Sequence, residues 1–249
     1  MKVILLAMTM GISLICLAHT TVQRQEIHAR SVGMTLCMDT VVPLFEDQLA
    51  VLLATMYSGK NALEVDDCLK NLDEDCHLSA NQKAYWKSYL YYNKSLYFKN
   101  ILNDEPAAKE NIQHALEQRL KGAATSEDYA LIAACYAFSI QFADRAAWGG
   151  IATKVEECAK KALALNPNNI RAYYALASHH FYQPKGNGSW AKAEEYALKG
   201  LRCKTGVETG FYSPHWGKMH LYELLLQLYR VENRAEDAAK IEEIIKRTR

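Results

Sequence analysis

Glycine and proline are so sparse in this chain, and so unevenly placed, that little but α-helix can fill the stretches between them. Only 12 glycines and 5 prolines punctuate 249 residues. Between their clusters, apolar side chains recur three and four positions apart, the spacing that puts them on one helix face. No segment after the first 18 residues alternates as a half-buried strand would. The spacing predicts helices over 40–57, 61–72, 80–101, 106–121, 126–146, 151–165, 169–182, 189–202, 214–231 and 234–248. Ser79 ahead of Ala80, and Ser126 ahead of Glu127 and Asp128, supply oxygens for the free amides of a helix start. Pro106 and Pro214 fall at predicted helix starts, where a missing N–H costs little.

The helices come in pairs at an interval of about 34 residues. Cys158-Ala-Lys-Lys-Ala162-Leu163-Ala-Leu-Asn-Pro167 reads as the end of a second helix, with a small residue at a helix crossing and a proline that stops the turn. Ala172-Tyr173-Tyr174-Ala175-Leu176-Ala177 then reads as the first helix of the next pair, and Ala193, Ala197 and Leu201 as its second. Tyr222, Leu225, Leu226, Tyr229, Asn233, Ala238 and Ile245 keep the same offsets in the last pair, while Ala108, Ile112, Ala115 and Leu116 fit an earlier second helix. The fold expected is all-α, a solenoid of helical hairpins with about ten helices over residues 40–249, clearest in the units 170–203 and 214–248.

This pattern resembles that of the tetratricopeptide repeat (TPR). Residues 80–249 resemble exported TPR proteins of Bacteroidetes-like bacteria. The likeness is carried by the Tyr-rich helix 85–97, the stretch Tyr129 to Ile140, Asn166-Pro167-Asn168-Asn169-Ile170-Arg171-Ala172-Tyr173, the loop Tyr182-Gln183-Pro184-Lys185, and Pro214-His215-Trp216-Gly217. Where the family's loop after the aromatic-proline element is glycine-rich, this chain has Gly186-Asn187-Gly188-Ser189. The resemblance implies a helical solenoid outside the cytoplasm and assigns it no reaction.

The first residues read as an address. Met1-Lys2, the apolar run Val3 to Leu17 and the small Ala18 form a secretory signal with cleavage expected after Ala18, and a periplasmic destination follows. The run is short and diluted by Thr9, Gly11 and Ser13, against about 20 apolar residues for a membrane span. Cys16 lacks the small residue just ahead of it that lipoprotein processing wants. A polar segment, 19–39, follows. Losing Lys2 with the signal leaves 28 basic side chains against 28 acidic ones. A nucleic-acid or anionic-membrane partner calls for a basic excess, so neither is expected. Six cysteines remain: Cys37, Cys68, Cys76, Cys135, Cys158 and Cys203. An oxidising compartment allows disulfides, and Cys68 and Cys76 flank a turn that a bridge could close, whereas Cys135 and Cys158 lie within helical patterns and read as small buried residues.

A repeat array binds through the concave face lined by the first helix of each pair. The candidate partner-binding residues there are Arg171, Tyr174, Ser178, Phe181 and Tyr182 in one unit and His220, Glu223, Gln227 and Arg230 in the last. Mixed aromatic, basic and amide chemistry suits a protein or peptide partner. The alternative is a small ligand in an aromatic pocket formed by Tyr85, Tyr89 and Tyr92 with the loop before Trp190. Trp190 and Trp216 either fold over the groove mouth with His179 and His180 or cover apolar surface at the ends of helix pairs. No cofactor, metal or catalytic residue is expected. His179, His180, His215 and His220 lack the HExxH arrangement, and neighbours on a helix point about 100° apart. No Gly-x-Ser-x-Gly elbow or phosphate-cradling loop occurs. The acidic runs Asp66-Asp67 and Asp73-Glu74-Asp75 lack calcium-loop spacing.

Overall fold

A computed structural model describes residues 44–59, 61–183, 189–203 and 210–248. The signal segment, the polar stretch 19–39 with Cys37, and the glycine-containing loop 184–188 lie outside the described residues. Ten α-helices follow one another: α1 (Phe45–Gly59), α2 (Leu63–Glu74), α3 (Ala80–Asn100), α4 (Glu105–Leu120), α5 (Ser126–Ser139), α6 (Trp148–Leu165), α7 (Ile170–Tyr182), α8 (Trp190–Arg202), α9 (Lys218–Val231) and α10 (Ala235–Thr248). The described chain is all-α, with no strand among its elements. Among the described residues no helix is long and apolar enough to cross a membrane.

Local chemistry sets the helix starts. Ser79 caps α3 and exchanges hydrogen bonds with Gln82 in a capping box, and Asp104 caps α4 with Pro106 in its first turn. At α5 the cap is Thr125, not Ser126: Thr125 pairs with Asp128 in the box. Ser126 instead donates to the carbonyl of Ala162, tying α5 to α6. The stretch read as one helix over 126–146 breaks at Ser139 into two short 3₁₀ turns, Ile140–Phe142 and Arg145–Ala147. Side chains compete for its carbonyls there: Gln141 Nε2 donates to Phe138, and Trp148 Nε1 to Ala143. The last pair begins at Lys218, four residues after Pro214, because residues 215 and 216 are captured by other helices, as described below.

The most extensive packing joins α3 to α4, α5 to α6 and α7 to α8; α5 also packs closely on α7, α9 on α10 and, less extensively, α7 on α9. Small residues let the backbones approach. Ala108 and Ala115 of α4 are fully buried, and their carbonyls accept from Ser95 and Ser88 of α3 at 2.5 and 2.7 Å. Ala193, Ala197 and Gly200 do the same on α8. A Cβ on Gly200 would lie 2.6 Å from Leu221 Cδ1 and 2.9 Å from Tyr173 Cβ. Between α4 and α5, Arg119 and Asp128 form a buried ion pair 3.0 Å apart, and Arg119 also binds Asn81 Oδ1 and the carbonyl of Gly122. Five described cysteines are free thiols. Cys68 and Cys76 are not joined, Cys135 is buried, and Cys158 packs partly against the core.

Candidate functional site

Most of the tyrosines lie on α1, α3, α5, α7 and α9, and the segment 210–217 packs against three of these helices. Residues 210–217 lead into α9 and lie against α1, α3 and α7. Phe45 N donates to the carbonyl of Phe211, and its ring meets those of Phe211 and Tyr212 at 6.4 and 5.3 Å. Trp216 is 6% exposed, donates from Nε1 to Tyr85 Oη at 2.9 Å, and contacts the rings of Tyr89, Tyr174 and His220. Gly217 turns into α9 with φ of 115°, a conformation that other residues rarely adopt.

Charged groups buried beneath the segment hold it there. Arg171 lies on Glu127 through Nε and through Nη2, the latter at 2.5 Å, and its Nη1 donates to the carbonyl of Trp216 at 3.0 Å. Asn169 adds a donor to Glu127 at 2.9 Å. The Glu46 carboxylate accepts from the amide of His215. Burial pushes the Glu46 carboxyl above its usual range, although the backbone donors of His215 and Trp216 and the Arg171 charge pull the other way. Arg171 therefore leaves the set of residues expected to face a partner: it is 8% exposed and holds the structure together. Phe181 leaves it too, being 6% exposed in the core formed by α7, α8 and α9.

Apart from Arg230, the other expected residues lie near one another on α7 and α9, and Tyr57 of α1 adds to them. Tyr174 is the centre. Its ring meets His220 edge-on at 5.3 Å, and Tyr92 and Ser178 lie near enough to its hydroxyl to favour its ionised form, against the burial that raises it. Tyr182, 40% exposed, donates to Gln227 Oε1 at 3.0 Å. Tyr57, from the last turn of α1, donates to the carbonyl of Asn93 and lies close enough to Tyr174 for their charges to interact. Glu223 is close enough to raise both Tyr174 and Tyr182 electrostatically.

These side chains combine solvent access with dense protein surroundings. Tyr57, Tyr174, Tyr182 and His220 all keep accessible surface. Yet desolvation is the leading cause that raises each tyrosine and pushes His220 down to about 4. We read the partly exposed face that these groups share as a recess. At neutral pH this one presents protonated tyrosines and a neutral imidazole. Arg230 stands outside it, paired with Glu242 at 2.6 Å.

Tyr85, Tyr89 and Tyr92 do not enclose a pocket of their own. They are 5, 7 and 5% exposed, and their rings pack on Trp86, Trp216 and Phe138 at 5.1 to 6.0 Å. Trp190 lies on the end of α7, its ring 6.4 Å from Phe181 and its Nε1 donating to that residue's carbonyl. Neither it nor Trp216 hangs free over the recess; each covers apolar surface.

The histidines separate. His179 and His180 lie on the opposite side of α7, where His180 stacks on Tyr196 of α8 at 5.5 Å, while His215 is exposed. Burial pushes His179 down to about 4. Among the described residues, Asp75, Cys76 and His77 bring metal-ligating atoms within 4.8 Å of one another at the exposed turn after α2. Asp75 Oδ1 already accepts from the His77 amide there, and Asp73 is held by Lys87. As for nucleophiles, the buried hydroxyls of Ser88, Ser95 and Ser126 are committed to carbonyls, and burial raises the Cys135 thiol.

Sequence reasoning missed Tyr57, although the rule that the first helix of each pair faces inward would have reached it through α1. It also missed Glu46 and Glu127, which nothing local distinguishes from solvated acids. Compared with family models, with curated proteins and with solved structures, the chain matches none.

Proposed function

We propose that the protein is a binding scaffold outside the cytoplasm, a TPR-like solenoid whose inner face, presented by α1, α7 and α9, takes up a protein or peptide segment. The observation that carries this reading is the convergence on one recess of accessible Tyr57, Tyr174, Tyr182, Glu223 and Gln227 from three helices far apart in sequence. Aromatic side chains with polar tips, set in a well-packed recess, are the usual anchors of protein recognition. The pairing of successive helices, with contacts running from α3 through α5 and α7 to α9, supports the solenoid. The signal-like residues 1–18 support export. Binding is favoured over catalysis because the histidine of the recess meets Tyr174 and Trp216 edge-on, and the buried hydroxyls of Ser88, Ser95 and Ser126 are engaged elsewhere.

The test is crosslinking and affinity capture from the cell envelope with the parent protein and a Tyr182→Ala/Gln227→Ala variant whose helicity matches it. Tyr182 and Gln227 lie at the rim, so their removal leaves the core intact. The expected result is a partner held by the parent and lost by the variant. A partner retained equally by both removes the inner face from consideration.

A further inference from the structure

We propose that the turn after α2 is a binding site for a zinc-class divalent cation, ligated by the Asp75 carboxylate, the Cys76 thiolate and the His77 imidazole. The site uses none of the residues of the inner face and does not rest on the reading of that face.

The first argument is geometric. One ligand atom from each of the three side chains lies within 4.8 Å of the other two. Consecutive side chains point about 100° apart on a helix and to opposite faces of a strand, so three in a row converge only where the backbone turns. Here α2 ends at Glu74, Asp75 leaves it in an extended conformation (φ −66°, ψ 111°), and residues 76 and 77 form the turn. Buried Leu72 and Leu78 pin the two sides of the turn to the core, and Lys83 of α3 donates to the Asp73 carbonyl at 2.8 Å. Around a tetrahedral zinc, with bonds of about 2.0–2.3 Å, neighbouring ligand atoms stand about 3.4–3.6 Å apart. The three atoms therefore close in by at most about 1 Å, a movement that side-chain rotation supplies. Cys76 and His77 are exposed and Asp75 half-buried, so that rotation leaves the core in place.

The second argument is the chemistry of the donor set. Thiolate, imidazole and carboxylate are the three side-chain ligands of zinc, and one of each fills three corners of a tetrahedron and leaves the fourth to water or another ligand atom. Sulfur and nitrogen donors set the site apart from calcium and magnesium sites, which are built from oxygen. Two anionic ligands also balance the charge of one divalent cation.

The third argument is availability. Among the described cysteines Cys76 is the exposed one. Burial pushes the thiols of Cys68, Cys135, Cys158 and Cys203 up, away from the thiolate form that a metal takes. Asp75 Oδ1 accepts from the His77 amide at 2.8 Å, which holds the carboxylate beside the imidazole residue and leaves Oδ2 for the cation. The lysines at this turn, Lys83 and Lys87, are engaged by the carbonyl and the carboxylate of Asp73 rather than by Asp75.

The experiment is a titration of the purified protein, made without a histidine tag, stripped of metal and kept reduced. Cobalt(II) is the probe, because its thiolate complexes show a charge-transfer band in the near ultraviolet, and zinc is then added to displace it. The expected result is one equivalent of cobalt with the band, displaced by zinc and not by a hundredfold excess of calcium, about the excess that separates the two donor preferences. Cys76→Ser is expected to abolish the band and weaken zinc at least about tenfold, His77→Ala to weaken zinc at least about tenfold, and Asp75→Asn about fivefold. Because Cys76 and His77 are exposed, their variants should keep the metal-free helicity and Tm of the parent, which separates lost binding from lost fold. A band that survives in Cys76→Ser, an unchanged zinc affinity in His77→Ala, or equal competition by calcium each overturns the proposal, as does the absence of saturable cobalt binding up to about 1 mM.

Discussion

Replacing Arg171 with Met is expected to be among the most damaging single changes in the chain. Arg171 and Glu127 are 8 and 6% exposed, and the guanidinium makes two bonds to the carboxylate and a third to the Trp216 carbonyl. Methionine fills most of the volume but leaves the Glu127 charge with Asn169 as its main donor, and it strips the Trp216 carbonyl of a donor. Breaking a buried pair from one side costs about 3–5 kcal/mol, chiefly because the surviving charge stays desolvated. For a domain of this size that corresponds to a fall in Tm of roughly 10 °C. The assay is thermal unfolding followed by circular dichroism, run on Arg171→Met, Glu127→Leu and the double variant. Removing both charges also removes the uncompensated one, so the double variant should recover about 2 kcal/mol or more relative to the sum of the singles. If Arg171→Met costs under about 1 kcal/mol, or the two changes are additive, the network does not hold the 210–217 segment as described.

Glu46→Gln tests the sign of a raised carboxyl. A folded-state pKa above the unfolded value adds stability below the unfolded value and loses it as pH rises through the folded one. The Tm of the parent should therefore gain on that of Glu46→Gln as pH falls from 7 to 4, and a gap that is flat or closes with acid would refute the assignment. His179 and His220, both pushed down to about 4, should show imidazole NMR signals that stay constant from pH 8 to 5. Because the unfolded chain takes up protons first, their contribution to stability should decline below about pH 6.5, and titration near pH 6.5 would contradict their burial. Gly200→Ala forces a methyl against Leu221 and Tyr173 and should cost about 1–3 kcal/mol in denaturant unfolding, whereas a neutral result would mean that α8 and α9 have room to separate.

The sequence alone determined that the described residues are helical, that they form about ten helices, and where most of these begin and end. Those properties are local: apolar residues recur at helical spacing within 12 to 20 positions, and caps such as Ser79 with Gln82 and Asp104 with Pro106 act within one turn. The same locality explains the misplaced boundaries. Pro214 looks like a helix start, but Glu46 and Arg171, on α1 and α7, bind the backbone at 215 and 216 and delay α9 to Lys218. Of the candidate site, Tyr174, Ser178, Tyr182, His220, Glu223 and Gln227 were legible because they fall on the inward positions of two regular helix pairs. Only tertiary structure decided that Arg171 and Phe181 turn into the interior, that Tyr57 adds to the site from α1, and that Trp216 packs on Tyr89, Tyr174 and His220. The physical reason is that a charge's worth depends on what lies across from it. Glu127 and Glu157 are the same residue in sequence, and a guanidinium 44 positions away makes the first a buried anchor.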